Sequence, residues 1–171
     1  MKILIIGGGN MGQTYARSLL RAHLTTEQDL MILERAPEKA EQLKDAKIGT
    51  VYSEAEGCLE RADLVILAVK PQDCLTLFNK LKPLVHPQQV YLSIMAGVKM
   101  KTIQTSLGVD KVIRAMPNLP AQIGMGMTVY TASEAVTRIE LVLVQNLLNT
   151  TGKAIYAEEE SAIDSTTAIS G

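Results

Sequence analysis

Very little in this sequence is available for a metal centre or a disulfide scaffold. Two cysteines, Cys58 and Cys74, and two histidines, His23 and His86, occur among 171 residues. The cysteines fall in separate predicted elements, with no Cys-x-x-Cys spacing and no Cys/His cluster. That indicates neither a zinc site nor a disulfide framework and predicts two buried thiols. The histidines are isolated, one at a helix end and one before Pro87, so neither is assigned a role and no metal is expected. An excess of one charge is missing too. Lys and Arg number 17 against 18 Asp and Glu, so no net field gathers nucleic acid or an anionic membrane surface. No apolar run approaches the roughly 20 residues that span a bilayer, and Met1 to Ile6 meets glycines too early for a secretory signal. The expectation is a cytoplasmic protein with neither nucleic-acid nor membrane partners. There is no internal repeat and no low-complexity linker.

What is present is an ordinary globular composition, 47% hydrophobic and 20% charged, in a chain long enough to bury one core. Short β-branched runs alternate with amphipathic stretches, the pattern of strands joined by crossover helices. Ile3 to Ile6 is a continuous apolar run, as expected of a strand covered on both faces. A helix follows from Asn10 to Ala22, with Met11, Tyr15, Ser18 and Leu19 on one face. Leu30 to Leu33 reads as a second strand, Pro37 opens a helix at no cost to its missing amide, and Ile48 to Tyr52 is a weaker third strand. Leu64 to Val69 is a strand stopped by Lys70-Pro71, and Gln72 to Leu81 has helical spacing. Val90 to Ile94 and Lys111 to Met116 read as strands separated by a helix from Met100 to Leu107. After Pro117 and Pro120 come a strand at Met127 to Tyr130, a helix from Ser133 to Asn149 and a strand at Ala154 to Tyr156. The fold class is therefore α/β: a Rossmann-like, doubly wound, mainly parallel sheet with an extended second half. Ser161 to Ser170 again has helical spacing, directly before the chain stops at Gly171. The expected organisation is a dinucleotide-binding domain over residues 1–160, with 161–171 starting a helical domain that is missing.

Gly7-Gly8-Gly9-Asn10-Met11-Gly12 contains Gly-x-Gly-x-x-Gly, which alone is a weak signal. Its position after a predicted strand and at the start of a predicted helix gives each glycine a task. Gly7 makes the tight turn, Gly9 admits the pyrophosphate, and Gly12 allows close helix–strand contact. The free amides of the helix N-terminus attract phosphate without a basic side chain. Ile6 to Gly12 is thus assigned to the cofactor: Ile6, Gly7, Gly8, Gly9, Asn10, Met11 and Gly12.

An acidic residue is expected about 20 positions further on, and Glu34 stands there at the end of the second strand. Arg35 follows it, and the two make opposite statements. Glu34 is placed to accept ribose hydroxyls, which favours NAD, whereas Arg35 is suited to the extra phosphate of NADP. A second reading leaves both as solvated strand-end residues.

Three further segments carry a resemblance. Val65-Ile66-Leu67-Ala68-Val69-Lys70-Pro71-Gln72-Asp73, Ser93-Ile94-Met95-Ala96-Gly97-Val98 and Arg114-Ala115-Met116-Pro117-Asn118-Leu119-Pro120 resemble successive motifs of pyrroline-5-carboxylate reductases in order and spacing. With the glycine turn and the closing Thr167-Ala168-Ile169-Ser170-Gly171, the resemblance covers the whole chain. It implies an enzyme that reduces 1-pyrroline-5-carboxylate, a cyclic imine, to L-proline in proline biosynthesis. It also implies that Ala68, Val69, Lys70 and Pro71, with Ala96 and Gly97, line the cofactor beyond its pyrophosphate. Both turns follow predicted strands, where open α/β sheets bind ligands, although Lys70 also reads as a solvated strand-end lysine. Asn118, Ser170 and Gly171 are implied on the substrate side; Asn118 reads equally as a cap on the Pro-x-x-Pro turn. The implied cofactor is NADP(H), with NAD(H) possible.

Two positions depart from the family pattern. Glu34 stands where a small polar residue such as Asn or Ser is common, and Leu119 stands where Thr is usual. A surface carboxylate can rotate into water, so NADPH is expected to bind with a reduced preference over NADH. Family members also continue into a helical domain carrying much of the substrate site and the dimer interface. The expectation is a homo-oligomer for the full-length protein, with weak or absent association and little turnover for this chain alone. The chemistry belongs to the cofactor, and a protonated imine is already electrophilic, so no metal or strong acid is required and no catalytic residue is assigned. The rival readings are another Rossmann imine or hydroxyacid reductase and a non-catalytic nucleotide-binding relative.

Overall fold

The computed structural model describes residues 1–118 and 126–164. In chain order the elements are β1 (Ile3–Ile6), α1 (Asn10–Arg21), β2 (Leu30–Leu33), α2 (Pro37–Ala46), β3 (Thr50–Tyr52), β4 (Leu64–Leu67), α3 (Cys74–Leu81), β5 (Val90–Ser93), α4 (Met100–Leu107), β6 (Val112–Pro117), β7 (Gly126–Ala132), α5 (Arg138–Leu148) and β8 (Gly152–Tyr156). They form one sheet in the order β3-β2-β1-β4-β5-β6-β7-β8. Neighbours from β3 through β6 are all parallel, β7 runs antiparallel to β6, and β8 is parallel to β7. This is the doubly wound, mainly parallel sheet with an extended second half that the alternating pattern predicts. The order reverses between β1 and β4, and a crevice opens there at the strands' carboxyl ends.

The four-residue strands β1, β2, β4 and β5 are buried at every position, which requires cover on both faces. One face carries Ile3, Ile5, Ile66, Leu92 and Ile113 against Tyr15 and Leu19 of α1 and Val144, Leu147 and Leu148 of α5. The other carries Leu4, Ile6, Val65, Leu67 and Val112 against Phe78 and Leu81 of α3 and Ile103 and Leu107 of α4. Alternation along each strand divides the two sets. Burying Leu19 alone contributes about 1.5–3 kcal/mol relative to leaving it in water.

Among the described residues the predicted boundaries hold to within about two residues except at the start of the fifth helix, and three of the shifts have physical reasons. The third strand starts at Thr50 rather than Ile48, because Ile48 turns into the core beneath α1. Pro71–Asp73 forms a 3₁₀ turn, so the α-helix proper begins at Cys74 rather than Gln72. The fifth helix begins at Arg138 rather than Ser133. Ser133 is held by β6: its amide donates to Val112 O at 2.8 Å and its Oγ accepts from Val112 N at 3.0 Å. A capping box then starts the helix, with Thr137 Oγ1 accepting the Glu140 amide at 3.2 Å and Glu140 Oε1 accepting the Thr137 amide at 2.9 Å. Among the described residues no helix is long and apolar enough to cross a membrane. Cys58 and Cys74 are free and buried, and burial pushes the Cys58 thiol up to about 11.

Candidate functional site

β1 runs straight into the glycine turn. Gly7 takes φ +110°, a conformation costly to any L side chain, and a Cβ there would lie 2.6 Å from Ala68 O. The turn after β1 therefore sits directly against the turn after β4. Gly12, one turn into α1, is equally confined: a Cβ would meet Gly7 O at 2.1 Å. Gly9 differs. It has ordinary extended backbone at φ −77°, and a Cβ would meet nothing within 4 Å. The space above Gly9 is open, and no side chain caps the α1 N-terminus, so its free amides face outward.

A cleft of about 680 Å³ opens beside this turn. Of the residues assigned from the sequence, it brings together Ile6, Gly7, Gly8, Gly9, Glu34, Arg35, Ala68, Val69 and Lys70. Asn10, Met11, Gly12, Pro71, Ala96, Gly97 and Asn118 lie outside its lining. Asn10 faces a small polar hollow with Gln13, Arg17 and Arg21, and Met11 packs against the core. Asn118 is engaged by β7: its amide donates to Met127 O at 3.0 Å and its Oδ1 accepts the Met127 amide at 3.1 Å. The side chain thus extends the β6–β7 ladder. Leu119, Ser170 and Gly171 lie outside the described residues. Arg114, the first residue of the third family-like segment, is fully buried within β6.

Glu34 is the largest surprise in the cleft. Its Oε1 accepts the Gly8 amide and its Oε2 the Ala36 amide, each at 3.1 Å. The expected solvated carboxylate, free to swing into water, is instead half-buried and held by two backbone donors. Arg35 and Lys70 are exposed and make no ion pair among the described residues.

The sequence reading missed Lys39, Asp73, Thr76, Leu77 and Lys80, all of which line the cleft. Helical spacing carried a signal for most of them. On α3, Cys74, Phe78 and Leu81 are buried, and positions 76, 77 and 80 flank that face on the cleft side, with Asp73 in the turn before the helix. Lys39 lies four residues after Arg35, at the start of α2. Among the described residues no group of three or more His, Cys, Asp and Glu side chains is placed to hold a metal.

Fold and cleft together define a class: a Rossmann-type α/β domain whose ligand crevice lies at the switch point of the sheet. The chain belongs to the family of NADP oxidoreductases, coenzyme F420-dependent, whose profile matches residues 2–97. It is also similar along its whole length to pyrroline-5-carboxylate reductases. With that of Pseudomonas aeruginosa it is 32% identical over 171 residues, covering 99% of this chain and 62% of the relative. The solved pyrroline-5-carboxylate reductase of Coxiella burnetii superposes with a TM-score of 0.92 at 27% identity, covering 99% of this chain and 63% of that one. The Plasmodium falciparum pyrroline carboxylate reductase, solved with NADP bound, shares the fold with a TM-score of 0.86 at 24% identity, over 100% and 62% of the two chains. This chain therefore spans about three-fifths of the length of the relatives it matches.

Proposed function

We propose that this chain is the cofactor-binding part of a pyrroline-5-carboxylate reductase, which uses NADPH, and less readily NADH, to reduce the cyclic imine 1-pyrroline-5-carboxylate to L-proline. One observation carries the reading: the open space above Gly9 faces the uncapped N-terminus of α1 at the sheet's switch point. A dinucleotide pyrophosphate needs this cradle of free amides and positive helix end, with no Cβ in the way. The chain-long similarity to pyrroline-5-carboxylate reductases supports this choice of substrate.

In this reading Gly7 to Gly12 hold the pyrophosphate, and Glu34, Arg35 and Lys39 surround the adenosine ribose and its phosphate. Ala68 to Pro71, with Ala96 and Gly97, orient the remainder of the cofactor. When bound, the reduced nicotinamide supplies hydride to the carbon of the carbon–nitrogen double bond. The residues of this chain bind and orient, with Asn118 as the candidate for the substrate side among the described residues. Residues 1–160 form the dinucleotide unit, and the segment from 161 leads into the substrate and dimerisation part of a cytoplasmic homo-oligomer. The test is steady-state reduction by the full-length protein. Turnover of pyrroline-5-carboxylate with NADPH supports the reading. Turnover only of other imines or hydroxyacids, or cofactor binding without turnover of any of them, overturns it.

A further inference from the structure

Arg114 heads the fully buried side chains of the described residues by volume. It lies on β6 between Ser93 of β5 and Thr131 of β7, on the face of the sheet that carries Val112 and packs against α4. Its Nη1 donates to Glu160 Oε2 at 3.0 Å and its Nη2 to Asp164 Oδ1 at 2.7 Å. Nε is buried with no partner among the described residues. Glu160 Oε2 also accepts the Met100 amide at 2.8 Å. A single carboxylate oxygen therefore joins β6, the first residue of α4 and the segment that succeeds β8. Ile163, fully buried, is wedged into the same segment.

A buried cation is a poor device for stability. An apolar side chain of similar volume usually serves as well or better, because it escapes the cost of desolvation. What an arginine adds is direction: its planar fork fixes two acceptors relative to one another, which neither a lysine nor a leucine does. The directions fixed here matter to the cleft. Met100 opens α4 only a few residues after the Ala96–Gly97 turn, and Glu160 and Asp164 belong to the stretch by which the chain leaves the sheet.

We propose that Arg114 is a positioning residue that locks the segment from Glu160 to Asp164 onto the start of α4. It thereby sets where the substrate side of the site stands relative to the cofactor turn at Ala96–Gly97. The part of this inference that concerns substrate rests on the reductase reading; the lock itself does not. Arg114 does not line the cleft and touches neither reacting group.

The experiment uses the full-length protein and the variants Glu160→Ala, Glu160→Gln, Asp164→Asn and Arg114→Lys. Glu160 and Asp164 are partly exposed, with side chains 25% and 42% accessible, so their variants should fold even if Arg114→Lys does not. In the wild type, NADPH should slow amide hydrogen exchange at residues 158–164, none of which lines the cleft. In Glu160→Ala that protection should vanish while the NADPH dissociation constant stays within about twofold. The kcat for pyrroline-5-carboxylate should fall about tenfold or more, the size of effect that slight misplacement of reactants produces. Glu160→Gln, which keeps an acceptor for the Met100 amide, should recover part of both. A merely structural role would lower the melting temperature and leave kcat per folded molecule and the cofactor-dependent protection intact; that result overturns the proposal. If the wild type does not reduce pyrroline-5-carboxylate, the functional reading fails, and the exchange measurement alone decides the lock.

Discussion

The Glu34 carboxylate accepts the backbone amide of Gly8 at 3.1 Å, and so joins the end of β2 to the glycine turn after β1. Its other oxygen is held by the Ala36 amide. An extra ribose phosphate bound nearby meets a negative charge fixed in place. At about 4 Å such a pair costs on the order of 1 to 4 kcal/mol depending on the dielectric. The cleft is open to water and Arg35 is exposed beside it, so the lower end applies. Glu34→Asn should therefore strengthen NADPH binding relative to NADH by roughly fivefold, the equivalent of about 1 kcal/mol. Arg35→Ala should weaken NADPH selectively. The ratio of the two dissociation constants, taken at one salt concentration, decides; a ratio unmoved by Glu34→Asn means that the carboxylate does not face the ribose.

Gly9 and Gly12 separate binding from folding. A side chain at Gly9 has room and ordinary backbone, so Gly9→Val should leave the melting temperature nearly unchanged while obstructing the pyrophosphate. Gly12→Ala pushes a methyl group to 2.1 Å from Gly7 O and should cost stability, on the order of 1–3 kcal/mol. Calorimetric titration beside thermal melts tests the contrast. Unchanged cofactor affinity in a folded Gly9→Val refutes the assignment of the turn.

Acid stability has two named contributors. Burial raises the Glu140 carboxyl, but the Thr137 amide and the Lys111 ammonium at 2.9 Å outweigh it and hold the group below its ordinary value. The hydrogen bond from Arg114 does the same for Asp164, against a smaller effect of burial. Carboxylates depressed in the folded state stabilise it above their unfolded pKa of about 4, and that stabilisation is lost as pH falls through the depressed values. The melting temperature should be flat above about pH 5 and drop below about pH 4, less steeply in Glu140→Gln. That variant keeps an acceptor for the Thr137 amide but loses the ion pair with Lys111, so at neutral pH it should lose only about 0.5 kcal/mol. An equal acid slope in wild type and variant would remove Glu140 from the account.

The two thiols should be inert. Cys58 is buried and its thiol is pushed up to about 11, and burial raises Cys74 as well. Little thiolate is present at neutral pH. A thiol-reactive chromogen should label neither in the native protein and both in denaturant; rapid native labelling would contradict the packing around them.

Reading the sequence located features with local causes. A four-residue apolar strand, a glycine at positive φ, a second at a close crossing and an amphipathic helix each leave their mark within a few neighbouring residues. The β1–turn–α1 unit, and with it the Rossmann class, could therefore be read directly. The sequence likewise marked Glu34 and Arg35 by their distance from the glycine turn. Its pattern misplaced the start of α5, because the residues from Ser133 to Thr137 have helical spacing while Ser133 is bound by β6, a partner distant in the chain.

Only the tertiary structure decided what those side chains do once placed. Glu34 reaches the amide of Gly8 26 residues away. Arg114 pairs with Glu160 and Asp164 across 46 and 50 residues. No spacing rule encodes such partners. Periodicity reports which face of an element is apolar, whereas the cost of burying a charge is met by whichever opposite charge the completed fold brings within hydrogen-bonding distance. An arginine that the sequence marked only as part of a motif thus became the junction of β6, the start of α4 and the segment after β8. Local sequence determined the sheet and its glycine turn; the return of the chain decided how β6 and the start of α4 are tied to the segment beyond β8.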